Sequence, residues 1–110
     1  MIMIVFTVWQ SEHQYRGFSF EGHAEYAEEG SDLVCAAVSV LALNTVNSIE
    51  TFTEDLFRQE LSEDGGYLKM DFPCGLSEKS CLLMDSLILG IRSIQAEYGE
   101  EYISLTFEEV

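Results

Sequence analysis

The sequence predicts an α+β fold: a two-layer α/β sandwich whose mainly antiparallel sheet carries two helices on one face, in the order ββαββαβ. Three observations carry that prediction. Five short runs either alternate apolar with polar residues or are β-branched and aromatic throughout, which is how strands read. Two long segments, 33–49 and 77–98, place apolar residues at helical spacing instead. Turn-forming residues separate the first two strands, and again the third and fourth, and such hairpins pair antiparallel. A length of 110 residues with 47% apolar content fits one compact domain, residues 1–110, and leaves no room for a second core.

Residues 2–9 carry Ile2, Ile4, Phe6 and Val8 on one side and Met3, Val5 and Trp9 on the other. Apolar residues on both sides predict a strand covered twice, by the helices on one face and by a second protomer on the other. Polar residues 10–16 turn the chain into a second strand, where Phe18 and Phe20 alternate with Ser19 and Glu21 and which delivers Gly22 and His23 to its end. Residues 24–31 are acidic and bracketed by Gly22 and Gly30, which accept backbone angles other residues resist, so they read as a loop. Ser31 or Asp32 then caps a helix. From Leu33 to about Ile49 that helix is apolar nearly all round, which predicts packing on more than one side.

Phe57, Gln59 and Leu61, then residues 67–72, flank Glu63-Asp64-Gly65-Gly66, a hairpin signal that turns Leu68, Met70 and Phe72 inward. Ser77 caps a second helix through about Tyr98, with Leu83, Leu87, Ile91, Ile94 and Tyr98 on one face and Gly99 at its end. Ile103, Leu105 and Phe107 alternate with polar residues in a final strand.

Composition excludes several functions. Three cysteines, at 35, 74 and 81, form neither a zinc spacing nor a secreted disulfide framework, so no metal and no cofactor is expected and a reducing cytoplasm is the natural setting. The apolar run from Leu33 is about eleven residues before Asn44, short of the roughly 20 a bilayer needs, so no membrane is expected. A net charge of −15 repels phosphate backbones, which argues against direct nucleic-acid binding and favours a basic polypeptide partner.

The best-placed nucleophile is Cys35, in the first turn of the first helix, just after its cap. Unpaired N–H groups and the positive end of the helix dipole favour a thiolate there. The same backbone donors, near Ala36 and Ala37, would hold a substrate oxyanion, their small side chains leaving the main chain approachable. His23, twelve positions earlier at a strand end, can take the thiol proton and return it to a leaving amine. Asp32 either orients that imidazole or serves the helix as a cap or first-turn acid. Taken alone, a cysteine in an Ala/Val helix reads first as packing. Cys74, Cys81 and the turn residue His13 read as inert.

Two stretches together are more specific: Phe20-Glu21-Gly22-His23-Ala24, and Gly30-Ser31-Asp32-Leu33-Val34-Cys35-Ala36-Ala37-Val38-Ser39. With their spacing they resemble the ribosomal-processing cysteine protease family, Prp, over nearly the entire chain. The resemblance implies a peptidase that removes an N-terminal extension from a basic large-subunit ribosomal protein, the twenty-seventh, during ribosome assembly. It implies Cys35 as nucleophile, His23 as general base and Asp32 at the acidic position of the motif. Gly22, Gly30 and Ser31 belong to a loop that moves when substrate binds, and Ser39 matches the motif one turn beyond Cys35. It further implies a homodimer and an apolar cleft beside Cys35 for paired aromatics. A non-catalytic acidic module that holds a basic ribosomal protein is the alternative.

Overall fold

A computed structural model of the chain describes residues 4–22, 31–63 and 66–110, and the side chains of Ser31 and Asp32 are not among what it describes. Five strands and two helices follow in the expected order: β1 (Ile4–Ser11), β2 (Gln14–Glu21), α1 (Ser31–Phe52), β3 (Arg58–Leu61), β4 (Tyr67–Asp71), α2 (Glu78–Tyr98) and β5 (Ile103–Glu109). The strands form one sheet in the order β3-β4-β2-β1-β5. Pairing is antiparallel except between β1 and β5, which run parallel with Ile4 beside Ile103 and Val8 beside Phe107.

The first hairpin is tighter than residues 10–16 suggest, because both strands extend until only Glu12 and His13 remain between Ser11 and Gln14. Both adopt left-handed backbone angles, φ 51° and 66°, as a two-residue hairpin turn of right-handed twist requires. Neither residue type favours that region as Asn-Gly does. The double change Glu12→Asn with His13→Gly is therefore expected to stabilise the fold by roughly 0.5–1 kcal/mol, seen as a rise of a few degrees in Tm. A fall in Tm would count against the turn geometry.

One face of the sheet holds the core. Ile4, Phe6 and Val8 of β1, Phe18 and Phe20 of β2, and Leu68, Met70 and Phe72 in and just after β4 are all buried there, as the alternation predicts. The Phe6 and Phe18 rings stack with centroids 5.5 Å apart. Above them α1 lays down Val34, Val38, Ala42, Val46 and Ile49, and α2 adds Met84, Leu87, Ile88 and Ile91. Ser77 caps α2, its hydroxyl accepting from the Ser80 N–H, while Asp55 accepts from both the N–H and the hydroxyl of Ser77. Those bonds, led by the Ser77 hydroxyl, hold the Asp55 carboxyl below its usual range. Gly99 ends the helix at φ 111°, a left-handed angle suited to glycine.

Within the single chain, the helix and the first strand are each covered on part of their apolar surface. The first helix is apolar all round, yet it buries only the side facing the sheet and α2. Leu33 and Val40 remain 56% and 65% exposed, because a two-layer domain has nothing on the far side of its helices. By length and composition α1 could cross a bilayer, but its inner face is the roof of the sheet. Within the chain, the helices cover one face of β1. Val5 is exposed, and Trp9 finds partners within the chain, its indole N–H donating to Glu108 at 3.1 Å and Lys69 lying over the ring. The outer row is otherwise polar, with Thr7 opposite Ser19 and Thr106, and Ser19 opposite Lys69.

Tyr15 anchors β2 to α2 by donating its hydroxyl to Asp85, and burial together with that carboxylate raises the phenol from 10.0 to about 12. Below pH 10 folded and unfolded chains both hold the proton, and the contribution to stability is complete. As pH rises from 10 to about 12 only the unfolded chain loses it, so stability falls. For a partly exposed ring the loss is on the order of 1 kcal/mol. Thermal melts of Tyr15→Phe across that window are expected to lack this component of the alkaline decline, whereas parallel curves for variant and wild type would rule it out.

Candidate active site

Cys35 is the fifth described residue of α1, a turn further into the helix than the first-turn position the sequence suggests. Its free thiol is half-buried against the core. The backbone of Ser31 and Asp32 is helical. Helix geometry also corrects the oxyanion assignment. The unpaired N–H groups of an α-helix belong to its first turn, whereas Ala36 and Ala37 are the sixth and seventh residues, where each N–H bonds to the carbonyl four residues back. Backbone donors for an oxyanion must come from nearer the helix start.

His23 and Gly30 lie outside the described residues, as does the stretch between them, so the pairing of His23 with Cys35 is carried by the sequence motif. The end of β2 is in view. Glu21 pairs with Val5 and Tyr67, and the Gly22 N–H donates to the Gly66 carbonyl at 2.9 Å. A Cβ on Gly22 would sit 2.9 Å from Cγ1 and 3.2 Å from Cα of Ile4. This glycine is required by close approach to β1, where the sequence suggested unusual backbone angles. The tight junction fixes the strand end from which the chain proceeds to His23 and then to α1.

The other two cysteines lie away from α1. Cys74 is exposed just after β4. Cys81, in the first turn of α2, has its thiol raised above the usual range by burial and by the nearby charges of Asp85, Asp55 and Glu78, which disfavours the thiolate. Among the described residues no cluster of His, Cys, Asp or Glu could hold a metal ion.

The apolar cleft expected beside Cys35 is not the apolar groove seen. A groove of about 550 Å³ runs between the helices, lined by Leu33, Ala36, Val40, Gly90 and Ile94 among others. Gly90 lets the helices close, since a Cβ there would meet Leu41 Cδ1 at 2.8 Å. These α1 residues share the flank beside α2, roughly half a turn around the helix from Cys35, which shares the opposite flank with Ser39. The groove and the thiol therefore address different sides of α1.

A free thiol near the start of the core helix, and a strand end that leads into a G-H-A sequence, are features that a cysteine hydrolase of two-layer α+β build would have. Comparison with known proteins agrees. The family model described as Cysteine protease Prp matches residues 3–104. The ribosomal processing cysteine protease Prp of Bacillus subtilis is 35% identical over 87 residues, 76% of this chain and 78% of that protein, and its Staphylococcus aureus counterpart is 26% identical over 91% and 93%. Among solved structures, a Streptococcus mutans protein superposes with a TM-score of 0.86 at 31% identity, covering 98% of this chain and 96% of its own. The S. aureus ribosomal processing protease Prp bound to a substrate peptide superposes at 0.88 with 22% identity, covering 96% and 100%. The chain belongs to the Prp family of cysteine proteases.

Proposed function

We propose that this protease removes the N-terminal extension of a basic large-subunit ribosomal protein, the twenty-seventh, during ribosome assembly in the cytoplasm. The observation that carries the reading is the family match across residues 3–104, with Cys35 near the start of α1 at the motif's nucleophile position. His23 takes the Cys35 proton and the thiolate attacks the scissile carbonyl carbon, giving a tetrahedral oxyanion held by first-turn N–H groups of α1. Collapse of that intermediate breaks the C–N bond, the amine leaves with the proton from His23, and water hydrolyses the thioester. Asp32 orients the imidazole or serves the helix start. The loop bracketed by Gly22 and Gly30, with Ser31 at its end, closes over bound substrate. The −15 charge favours encounter with a basic substrate and is weakened by salt.

The working unit is a homodimer. The outward flank of the helical layer supports this, since Leu33, Val40 and Leu89 stand 56%, 65% and 66% exposed around the uncharged groove in a chain that is 23% charged. Val40→Glu is expected to shift the protein from dimer to monomer in sedimentation, and an unchanged dimer would place the interface elsewhere.

The function is tested by mass spectrometry of a synthetic peptide spanning the extension and the following residues of the ribosomal protein. Cleavage at one bond by the wild type, absent with Cys35→Ala, is expected. Salt-sensitive binding of the peptide without cleavage would instead favour the non-catalytic acidic module that the charge alone suggests.

A further inference from the structure

The sheet ends in two edge strands, β3 and β5, and they are guarded differently. Ile4 donates to the Tyr102 carbonyl, so the parallel register turns the backbone groups of Ile103, Leu105 and Phe107 away from β1. There α2 shields them, with the Gln95 side chain donating to the Ile103 carbonyl at 3.0 Å and Arg92 lying over the Phe107 ring. Among the described residues nothing does the same for β3. The Ser62 N–H donates to the Tyr67 carbonyl at 3.0 Å, and in an antiparallel pair the bonded residues alternate. Glu60 and Arg58 therefore turn their backbone groups to β4, while Gln59 and Leu61 turn theirs outward. All four residues of β3 are exposed. Neither outward residue is charged or a proline, the usual blocks to an added strand.

The side chains of that outward pair lie on the helical side of the sheet. Leu61 is level with Leu68, Leu68 with Phe20, and Phe20 with Phe6. Phe6, Phe20 and Leu68 are buried, whereas Leu61 is 53% exposed. The apolar row thus runs out from under the helical layer at β3, and α1 is the helix that borders it. Since α2 packs over β5 and α1 lies beside α2, with Leu41 against Gly90, α1 occupies the β4 side. Leu41 and Ala37 take the flank toward α2, so Cys35 and Ser39, roughly half a turn round, stand on the flank that overlooks β4 and β3. The row is also at the right end of the sheet, because Phe20 comes just before the strand end from which the chain proceeds to α1. An apolar ledge and an open backbone edge therefore meet on the thiol's side of α1. A thiolate attacks a carbonyl in a chain held open around it, and the N–H and C=O groups of an open chain need partners.

We propose that the outer edge of β3 takes the substrate as an added strand, Gln59 and Leu61 exchanging backbone hydrogen bonds with it and the Leu61 side chain receiving one of its apolar residues. The proposal rests on the protease reading and adds the surface that selects an extended peptide segment. The experiment measures cleavage of the synthetic extension peptide, together with its binding to Cys35→Ala by fluorescence anisotropy, in the full chain carrying further substitutions. Leu61→Thr keeps a strand-forming residue and removes the apolar length. Gln59→Pro removes an outward N–H and spares the bonds that residues 58 and 60 make to β4. Each is expected to raise KM and the dissociation constant at least about fivefold with kcat little changed. Leu61→Met, which rebuilds an apolar side chain, should stay near the wild type, as should Leu82→Thr at an exposed leucine on α2. Circular dichroism melts confirm that the variants fold. Wild-type cleavage with both constants unmoved in Leu61→Thr would overturn the edge site and leave the protease reading standing. A wild type that neither binds nor cleaves the peptide would overturn both.

Discussion

Cys35→Ala is expected to eliminate peptide cleavage, by at least about 10³-fold, while leaving the fold intact. The argument rests on position as much as on chemistry. The other two thiols stand elsewhere, Cys74 exposed after β4 and Cys81 on α2 with its thiolate disfavoured by burial and three carboxylates. Neither shares the α1 flank that carries Cys35, so Cys74→Ser and Cys81→Ser should keep near wild-type rates. Alanine at 35 removes one sulfur from a half-buried site in a helix that already carries Ala36 and Ala37, so melting should shift little. The measurement is initial rate by mass spectrometry for the three variants alongside thermal melts. Substantial cleavage by Cys35→Ala, or its loss in Cys81→Ser with the fold preserved, would move the nucleophile away from Cys35.

Phe6→Ala is the substitution expected to cost most stability, about 3–5 kcal/mol. Phe6 is fully buried in the middle of β1, is stacked on Phe18, and has strands paired on both sides, so neither the sheet nor the helices can collapse into the space it leaves. In a chain of this size such a change lowers Tm by well over ten degrees and leaves a population vulnerable to proteolysis. Thermal denaturation followed by circular dichroism measures it. Val5→Ala on the same strand is the control, because Val5 is exposed on the outer face and should cost under about 0.5 kcal/mol. Equal losses for the two would mean that the faces of β1 are assigned the wrong way round.

Much of the fold was legible because its signals are local. The inward set Leu68, Met70 and Phe72, the Ser77 cap and the Gly99 stop each depend on a few neighbouring residues, and each falls where the pattern put it. What could not be read depends on distant partners. Nothing near Trp9 announces that Lys69 and Glu108, sixty and ninety-nine residues later, will meet it within the chain. Nor does the run from Leu33 say which half of an apolar cylinder meets the sheet. At the site, Cys35 near a helix start was legible, but the oxyanion donors were not. Shifting a helix start by one or two residues changes which N–H groups are unpaired. Gly22 was singled out for its backbone freedom, and its role turned out to be steric, set by Ile4 eighteen residues earlier in the chain.

The parallel pairing of β1 with β5 has a temporal meaning. During synthesis β1 is made first among the strands and finds β2 at once across a two-residue turn, yet its other edge stays open until Ile103–Glu109 exists. For that whole interval the most apolar strand of the protein presents unpaired backbone to whatever is near, the condition under which strands add to foreign edges. Completion of the sheet, and with it the support beneath α1, therefore waits on the last strand to be made. The scaffold of this domain is unfinished until β5 has been made.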